Sequence, residues 1–441
     1  MPFRGKEGPG SAEIALDHIG RELLEHLGKG SAGVSIAVDV SLVQGVIHGA
    51  SDIYFEPWAD CLALRYRIDG SVYDICQIPK DYQSGIISCI KVLAQMPPYK
   101  RDLPQDARIE ADTMGEGRAL RVATFPTVHG EKVVVRVSEN RVPTLTLDRL
   151  GFHGRIAKGL REVIARPEGT LLFTGPSGSG KTTTIYAILR ELTGTAKRRA
   201  CDTGPHVVTI EDPVEYQLDY ASQTEINTAA GLSYDVALRS VLRLAPDVIV
   251  IGEIRDHETA HALIQAGLTG HFLISTIHSG TAVGVFTRLL DMGLEPYLVA
   301  SSVTAVLAQR LVRRNCPACS APYTPHETLV EEFGFDRGTT FLRGTGCEAC
   351  QGLGFHGRTA LGEMLTMQED LANLILRRPR TSVLHAAAMQ IGMMPLVDHG
   401  VKKVKRGATT VEELSRALLP RHTKAKVSSD DQGREAGDGA T

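Results

Sequence analysis

The sequence contains no uninterrupted apolar run of about eighteen residues, the length from which a membrane-crossing helix is read. Its start, MPFRGKEGPGSAEIALD, lacks the apolar core and small-residue cleavage site of a secretory leader, which predicts a cytoplasmic protein. Neither sign of charge is in excess: 48 Lys and Arg stand against 51 Asp and Glu, a formal net charge of −3. That balance excludes an overall pull toward nucleic acid or acidic lipid and leaves only local contacts. Aromatic residues make up 5% of the chain, and no basic stretch is interleaved with them in the way that tracks a single strand of nucleic acid.

What is present suffices for two or three domains with proper cores: 441 residues, 43% hydrophobic and 22% charged. The eight cysteines divide into singles (Cys61, Cys76, Cys89, Cys201) and two close pairs, Cys316 with Cys319 and Cys347 with Cys350. In a reducing compartment the pairs suggest metal and the singles suggest buried thiols.

The pattern changes along the chain. Residues 1–44 form a short N-terminal segment in which Ile14, Ile19, Leu23 and Leu27 recur at helical spacing, an amphipathic helix able to dock on its own chain or on a partner. From 45 to 140, β-like runs such as CLALRYRIDG and EKVVVRVS flank a helical SGIISCIKVLAQM, the mark of a compact α+β domain. Residues 141–150, with Pro143, read as a linker. From 151 to 315 the runs TLLFTG, HVVTIED, DVIVIGE and FLISTIH alternate with helix-like segments, which predicts a parallel sheet flanked by helices, an α/β core. TGTAKRRACDTGPH interrupts it as a polar loop. The cysteine region occupies 316–360 and small helices fill 361–420. Residues 421–441 have too little apolar content to fold and read as a disordered tail.

GPSGSGKTTT sits between the strand-like GTLLF and the helix-like IYAILREL. Gly175, Gly180, Lys181 and Thr182 fit the phosphate-loop pattern, with Pro176, Ser177, Gly178, Ser179 and Thr183 filling and following it. The glycines let backbone N–H groups turn in around a phosphate, the helix N-terminus adds its positive end, Lys181 reaches the outer phosphates, and Thr182 offers an oxygen to Mg²⁺. Phosphoryl transfer also needs acids at neighbouring strand ends. Glu211, Asp212 and Glu215 follow one apolar run and Glu253 another, and in a parallel sheet such ends gather where the loop lies. The plain alternative is that these acids are solvated caps.

In this order GPSGSGKTTT, TIEDPVEY, LRSVLRLAPDVIVIGEIRD and GHFLISTIHSG resemble the ATPases of type II secretion and type IV pilus assembly. The resemblance extends to GASDIYFEP, RYRIDG, LPQDARI and FPTVHGEKVVVRV upstream and LLDMGLEPYLVASSVTAVLAQRLVRRNCPAC downstream, covering about residues 45–420. It implies a RecA-like P-loop ATPase core behind a smaller PAS-like domain, assembled as a homohexamer. It implies further that Glu215 orients or deprotonates the attacking water, that Glu253 acts through the metal's water shell, and that His271 and His278 sense the γ-phosphate. Arg239 and Arg243, four apart on one helical face, fall near the nucleotide in this family, and Arg108 and Arg121 reach phosphate from the N-terminal domain across a subunit boundary. The alternative for these arginines is an ordinary surface salt bridge. Tyr54 stands where the family has a histidine.

CPAC and CEAC each supply half of a tetrahedral thiolate site, a spacing that fits structural Zn²⁺ with no position left for chemistry. By the resemblance this region belongs to the assembly and secretion branch. The expected protein is therefore a cytoplasmic, Mg²⁺-dependent ATPase, peripheral to the inner membrane, that uses ATP to power pilus or pseudopilus assembly with platform and docking proteins as partners. A RecA-like nucleic-acid motor, with the cysteine knuckle as its contact, is the alternative.

Overall fold

The computed structural model describes residues 15, 16, 18–109, 120–137, 146–194 and 204–419. Ile14, Pro143, Cys201, the centre of the 193–206 loop and the 421–441 tail lie outside the described residues.

The N-terminal body opens with α1 (Ile19–Leu27) and α2 (Ser31–Ile47). These are followed by β1 (Ala50–Pro57), β2 (Cys61–Ile68), β3 (Ser71–Pro79), α3 (Gln83–Leu93), β4 (Gln105–Ile109), β5 (Leu120–Thr127) and β6 (Gly130–Val137). The strands form one antiparallel sheet in the order β3-β2-β1-β6-β5-β4. Ile19, Leu23 and Leu27 are fully buried, so the helix expected from their spacing docks on its own chain. It lies so close to α2 that a Cβ on Gly33 would meet His26 O. Residues 19–47 thus share one core with the sheet instead of standing apart from it.

The second body contains α4 (Gly154–Ile164), β7 (Gly169–Thr174), α5 (Lys181–Leu192), β8 (Val207–Glu211), β9 (Ser222–Glu225), α6 (Tyr234–Val241), β10 (Val248–Ile254), α7 (His257–Gly267), β11 (Phe272–Ile277), α8 (Ala282–Asp291), α9 (Pro296–Ser302) and β12 (Val303–Asn315). A cysteine excursion follows, with β13 (Ser320–Tyr323), α10 (Glu327–Glu332) and β14 (Phe341–Gly344). The chain then returns through β15 (Phe355–Thr366) to α11 (Glu369–Ile375), α12 (Thr381–Gln390), α13 (Leu396–Lys405) and α14 (Val411–Leu418). The sheet order is β15-β12-β7-β11-β10-β8-β9, parallel except for β15 against β12. α4 and α5 cover one face, and α6 to α9 cover the other. The core therefore runs past residue 315: β15 pairs along almost the whole of β12, and the cysteine region is a loop between these two strands.

The two bodies touch through the β2–β3 turn. Asp69 accepts the Gly357 N–H at 2.9 Å and pairs with Arg358 at 3.4 Å, and Arg313 donates to the Tyr73 hydroxyl at 2.8 Å. Leu353, just past the last cysteine, packs on the N-terminal core. Among the described residues no helix is long and apolar enough to cross a membrane.

Candidate functional site: a nucleotide pocket and a cysteine knuckle

β7 is buried throughout and ends at Thr174, where the chain must turn sharply into α5. Gly175, Gly178 and Gly180 make that turn at φ of 150°, 75° and 86°, backbone that a side chain would strain. Gln309 on β12 clamps the loop: its Nε2 donates to Ser179 O at 2.8 Å, and its Oε1 accepts from Thr184 Oγ1 at 2.9 Å. Lys181 Nζ donates to Gly175 O at 2.8 Å and Pro176 O at 3.1 Å. Burial pushes this ammonium below its ordinary pKa, Glu253 pulls it back, and Arg310 pushes it down again.

The parallel register brings the other strand ends to the same edge. β8 ends in Glu211, β10 carries Glu253, and His278 follows β11, all lining one cavity of about 900 Å³ with Pro176 to Ser179, Lys181 and Thr182. His278 Nε2 lies 3.2 Å from Glu253 Oε2, whose other oxygen takes Arg255. Arg255 also reaches Asp212 at 3.5 Å. Glu211 is buried, and neutral groups satisfy it: Tyr186 OH at 2.5 Å, Thr209 Oγ1 at 2.6 Å and Gln223 Nε2 at 3.0 Å. Glu215 is exposed on the cavity wall with no hydrogen-bond partner among the described residues, and is open to a water; Asp212, also exposed, is engaged by Arg255.

The remaining sequence-predicted residues divide. Arg108 and Arg121 face each other across β4 and β5, outside the cavity lining. Asp106 at 3.1 Å, and then the more distant Glu215 and Glu225, hold the Arg121 guanidinium charged. Arg239 pairs with Asp235 at 3.5 Å and Arg243 approaches Ser240, both exposed and away from the loop. His271 precedes β11, with its carbonyl on Gly169 N–H, so a whole strand of about 20 Å separates it from the phosphate loop.

The pocket's ceiling is not legible in the sequence. Asp52, Arg67 and Arg136 on β1, β2 and β6 line it, Arg136 Nε lying 3.0 Å from Asp52. Tyr54, the departure from the family's histidine, accepts a hydrogen bond from Arg67 Nε at 2.7 Å. Gln309 and Arg310 were missed as well. Their signal was a polar pair breaking the apolar run VTAVLA and LV.

The four cysteine sulfurs lie within 4.8 Å of one another. Cys316 to Cys347 and Cys319 to Cys350 are each 3.8 Å, and Cys347 to Cys350 is 3.7 Å. Zinc–sulfur bonds of about 2.3 Å in a tetrahedron give edges of about 3.8 Å, so this set fits the ion. Backbone N–H groups of Gly346, Cys347 and Gly354 donate to Cys319 or Cys350 sulfur, as metal thiolates require. Burial would raise the Cys350 thiol, but the Cys347 and Gly354 N–H groups bring it down to about 7.

The family described as Type II/IV secretion system protein matches residues 28–416. The chain belongs to that family. Type II secretion system protein HxcR of Pseudomonas aeruginosa is 38% identical over 413 residues, covering 93% of this chain and 83% of that one. The type IV pilus assembly ATPase PilB of Myxococcus xanthus is 39% identical over 387 residues, 86% of this chain and 66% of its own length. In fold the chain matches the X-ray structure of the Legionella pneumophila ATPase DotB, with a TM-score of 0.61 at 20% identity over 87% of this chain and 95% of that one. The family is one of secretion ATPases, which carries ATP hydrolysis with it.

Proposed function

We propose that this chain is a magnesium-dependent ATPase that works as a homohexamer, in the cytoplasm and peripheral to the inner membrane, and drives assembly of a pilus or pseudopilus. The observation that carries the reading is the single cavity shared by the phosphate loop, Glu215, Glu253 and His278. In this reading Gly175 to Thr183 cradle the phosphates of ATP and Lys181 neutralises the outer ones. The Thr182 hydroxyl and the Glu253 carboxylate line the same space and suit Mg²⁺, which prefers oxygen and keeps several waters. When bound, the ion offsets charge on the β- and γ-phosphates.

Glu215, exposed and without a hydrogen-bond partner among the described residues, positions the attacking water and takes its proton. Glu211, held by three neutral donors, fixes the strand end, with Asp212 steering Arg255 toward Glu253. His278 reports the γ-phosphate to Glu253, whereas His271, a whole strand away, takes no part in sensing it. Arg108 and Arg121 lie outside the cavity and serve a neighbouring subunit's site, whereas Arg239 and Arg243, exposed and paired locally, stay away from the nucleotide. Zinc on Cys316, Cys319, Cys347 and Cys350 is structural.

The test compares ATPase stimulation by membranes carrying a secretion or pilus platform with stimulation by single-stranded DNA. Membrane stimulation supports the motor. Stimulation by DNA alone replaces it with the nucleic-acid motor.

A further inference from the structure

β12 carries a half-buried cation onto the edge where the phosphate loop lies. Arg310 donates from Nη1 to Gln309 O and from Nη2 to Gly280 O, both at 2.9 Å, tying the strand to the turn after His278. A Cβ on Gly175 would stand 3.1 Å from Nη1, so the guanidinium lies against the first glycine of the loop. Arg310 and Lys181 line the same cavity and feel each other's charge. The hydrogen-bond acceptors of both are backbone carbonyls of described residues, and the acids that act on them, Glu253 on Lys181 and Glu363 on Arg310, do so only from a distance.

Two half-buried cations side by side, each resting on neutral oxygens, are costly unless an anion joins them. A nucleoside triphosphate is the anion of matching charge. Its inner phosphates belong at the N-terminus of α5, and Lys181 spans the outer two. Arg310 is tethered to the turn that follows His278, and His278 itself meets Glu253. That places the guanidinium on the outermost side.

We propose that Arg310 is a catalytic residue acting within its own chain, a ligand of the γ-phosphate that exchanges the Gly280 carbonyl for a phosphate oxygen when a nucleoside triphosphate, but not a diphosphate, is bound. The inference rests on the reading of the cavity as an ATP site. In hydrolysis the water oxygen bonds to the γ-phosphorus and the bond to the bridging oxygen breaks, its electron pair leaving with ADP. The water proton goes to Glu215. Arg310 keeps its protons throughout and stabilises the charge spread over the transferred group. The exchange also frees the 278–281 turn from β12, so this residue distinguishes the two nucleotide states for the loop that carries His278.

The experiment uses the full zinc-loaded chain and measures affinity for ADP and for a non-hydrolysable ATP analogue, together with turnover, in wild type, Arg310→Gln, Arg310→Lys and Lys181→Ala. Arg310→Gln should hold ADP within about threefold, lose about tenfold or more in affinity for the triphosphate, and lose about 10²-fold or more in turnover. Arg310→Lys should recover part of the triphosphate preference, because a point charge replaces only part of a planar fork. If Arg310→Gln does not fold, the Lys variant carries the test, with a triphosphate preference between that of wild type and none. Equal losses for both nucleotides would make Arg310 a structural strut and overturn the proposal, as would an unchanged preference. If wild type and Lys181→Ala bind nucleotide equally, the pocket reading itself has failed.

Discussion

Cys316, Cys319, Cys347 and Cys350 are brought together by two short C-x-x-C turns, whereas Lys181, Glu253 and His278 arrive from three separate strand ends and Arg310 from the middle of a fourth strand. In the first case local backbone geometry does most of the work, so residue spacing already announces the chemistry. In the second the parallel order of β12, β7, β11 and β10 does it, and no spacing along the chain predicts which side chains meet. The two sites are joined by one pair of strands: β12 bears Gln309 and Arg310 and runs into Cys316, and β15 leaves Cys350 to return beside it. A locally built site should fail locally, and a topologically built one should fail only with its contributing strands.

The largest effect is expected at the knuckle. Cys347→Ser removes one of four thiolates, and because zinc affinity is folding free energy for such turns, on the order of 10 kcal/mol, metal content should fall far below one ion per chain. Hydrogen exchange should then lose protection over residues 316–354 but keep it in β7 and β11. Loss of protection throughout the sheet would show that the two sites are not separable.

A smaller effect is expected where the N-terminal body meets the core. Arg313 pairs with buried Glu413 at 2.7 Å, donates to the Tyr73 hydroxyl at 2.8 Å and stacks over Phe355. Arg313→Ala leaves Glu413 with Arg416 as its remaining cation and should cost about 3 kcal/mol, the low end for breaking a buried pair. Urea unfolding checks it. A change under about 0.5 kcal/mol would mean that the interface contributes little.

The smallest concerns β15 itself. His399 is 2% exposed and its Nδ1 accepts the Gly362 N–H at 3.0 Å. Burial first, then Lys403, with His153 and Lys402 adding to it, pushes its pKa from 6.5 to about 4. The folded ring stays neutral where the unfolded ring takes a proton. Its contribution is therefore whole above pH 6.5 and is lost as the pH falls toward 4, about 2 kcal/mol by pH 5. Urea midpoints from pH 7 to 5 should fall in wild type and flatten in His399→Gln.

The same contrast explains what could be read from the sequence. The cysteine set, the phosphate loop and the strand-end acids were legible because each is a short pattern with a physical reason behind its spacing. α2 was not read as a helix: its run SAGVSIAVDVSLVQGVI packs between α1, α3 and the sheet, so it has no polar face to give a period. Arg310, Arg67 and Arg136 were missed because their meaning depends on which strands become neighbours. His271 and His278 look alike in GHFLISTIHSG, yet they sit at opposite ends of β11. Arg108 and Arg121 fall on adjacent strands, and whether they reach a neighbouring subunit is a property of the assembly.

Everything proposed for the cavity depends on its hydrolysing ATP, with Lys181 holding the phosphates and Glu215 working on the water. The most direct measurement is ATP binding and phosphate release, in parallel, for wild type, Lys181→Ala and Glu215→Gln with and without Mg²⁺. Expected are Mg²⁺-dependent turnover in wild type, loss of both binding and turnover in Lys181→Ala, and ATP binding within about threefold of wild type but turnover lower by about 10²-fold or more in Glu215→Gln. Phosphate release by Glu215→Gln at the wild-type rate, or by wild type without any need for Mg²⁺, would contradict it.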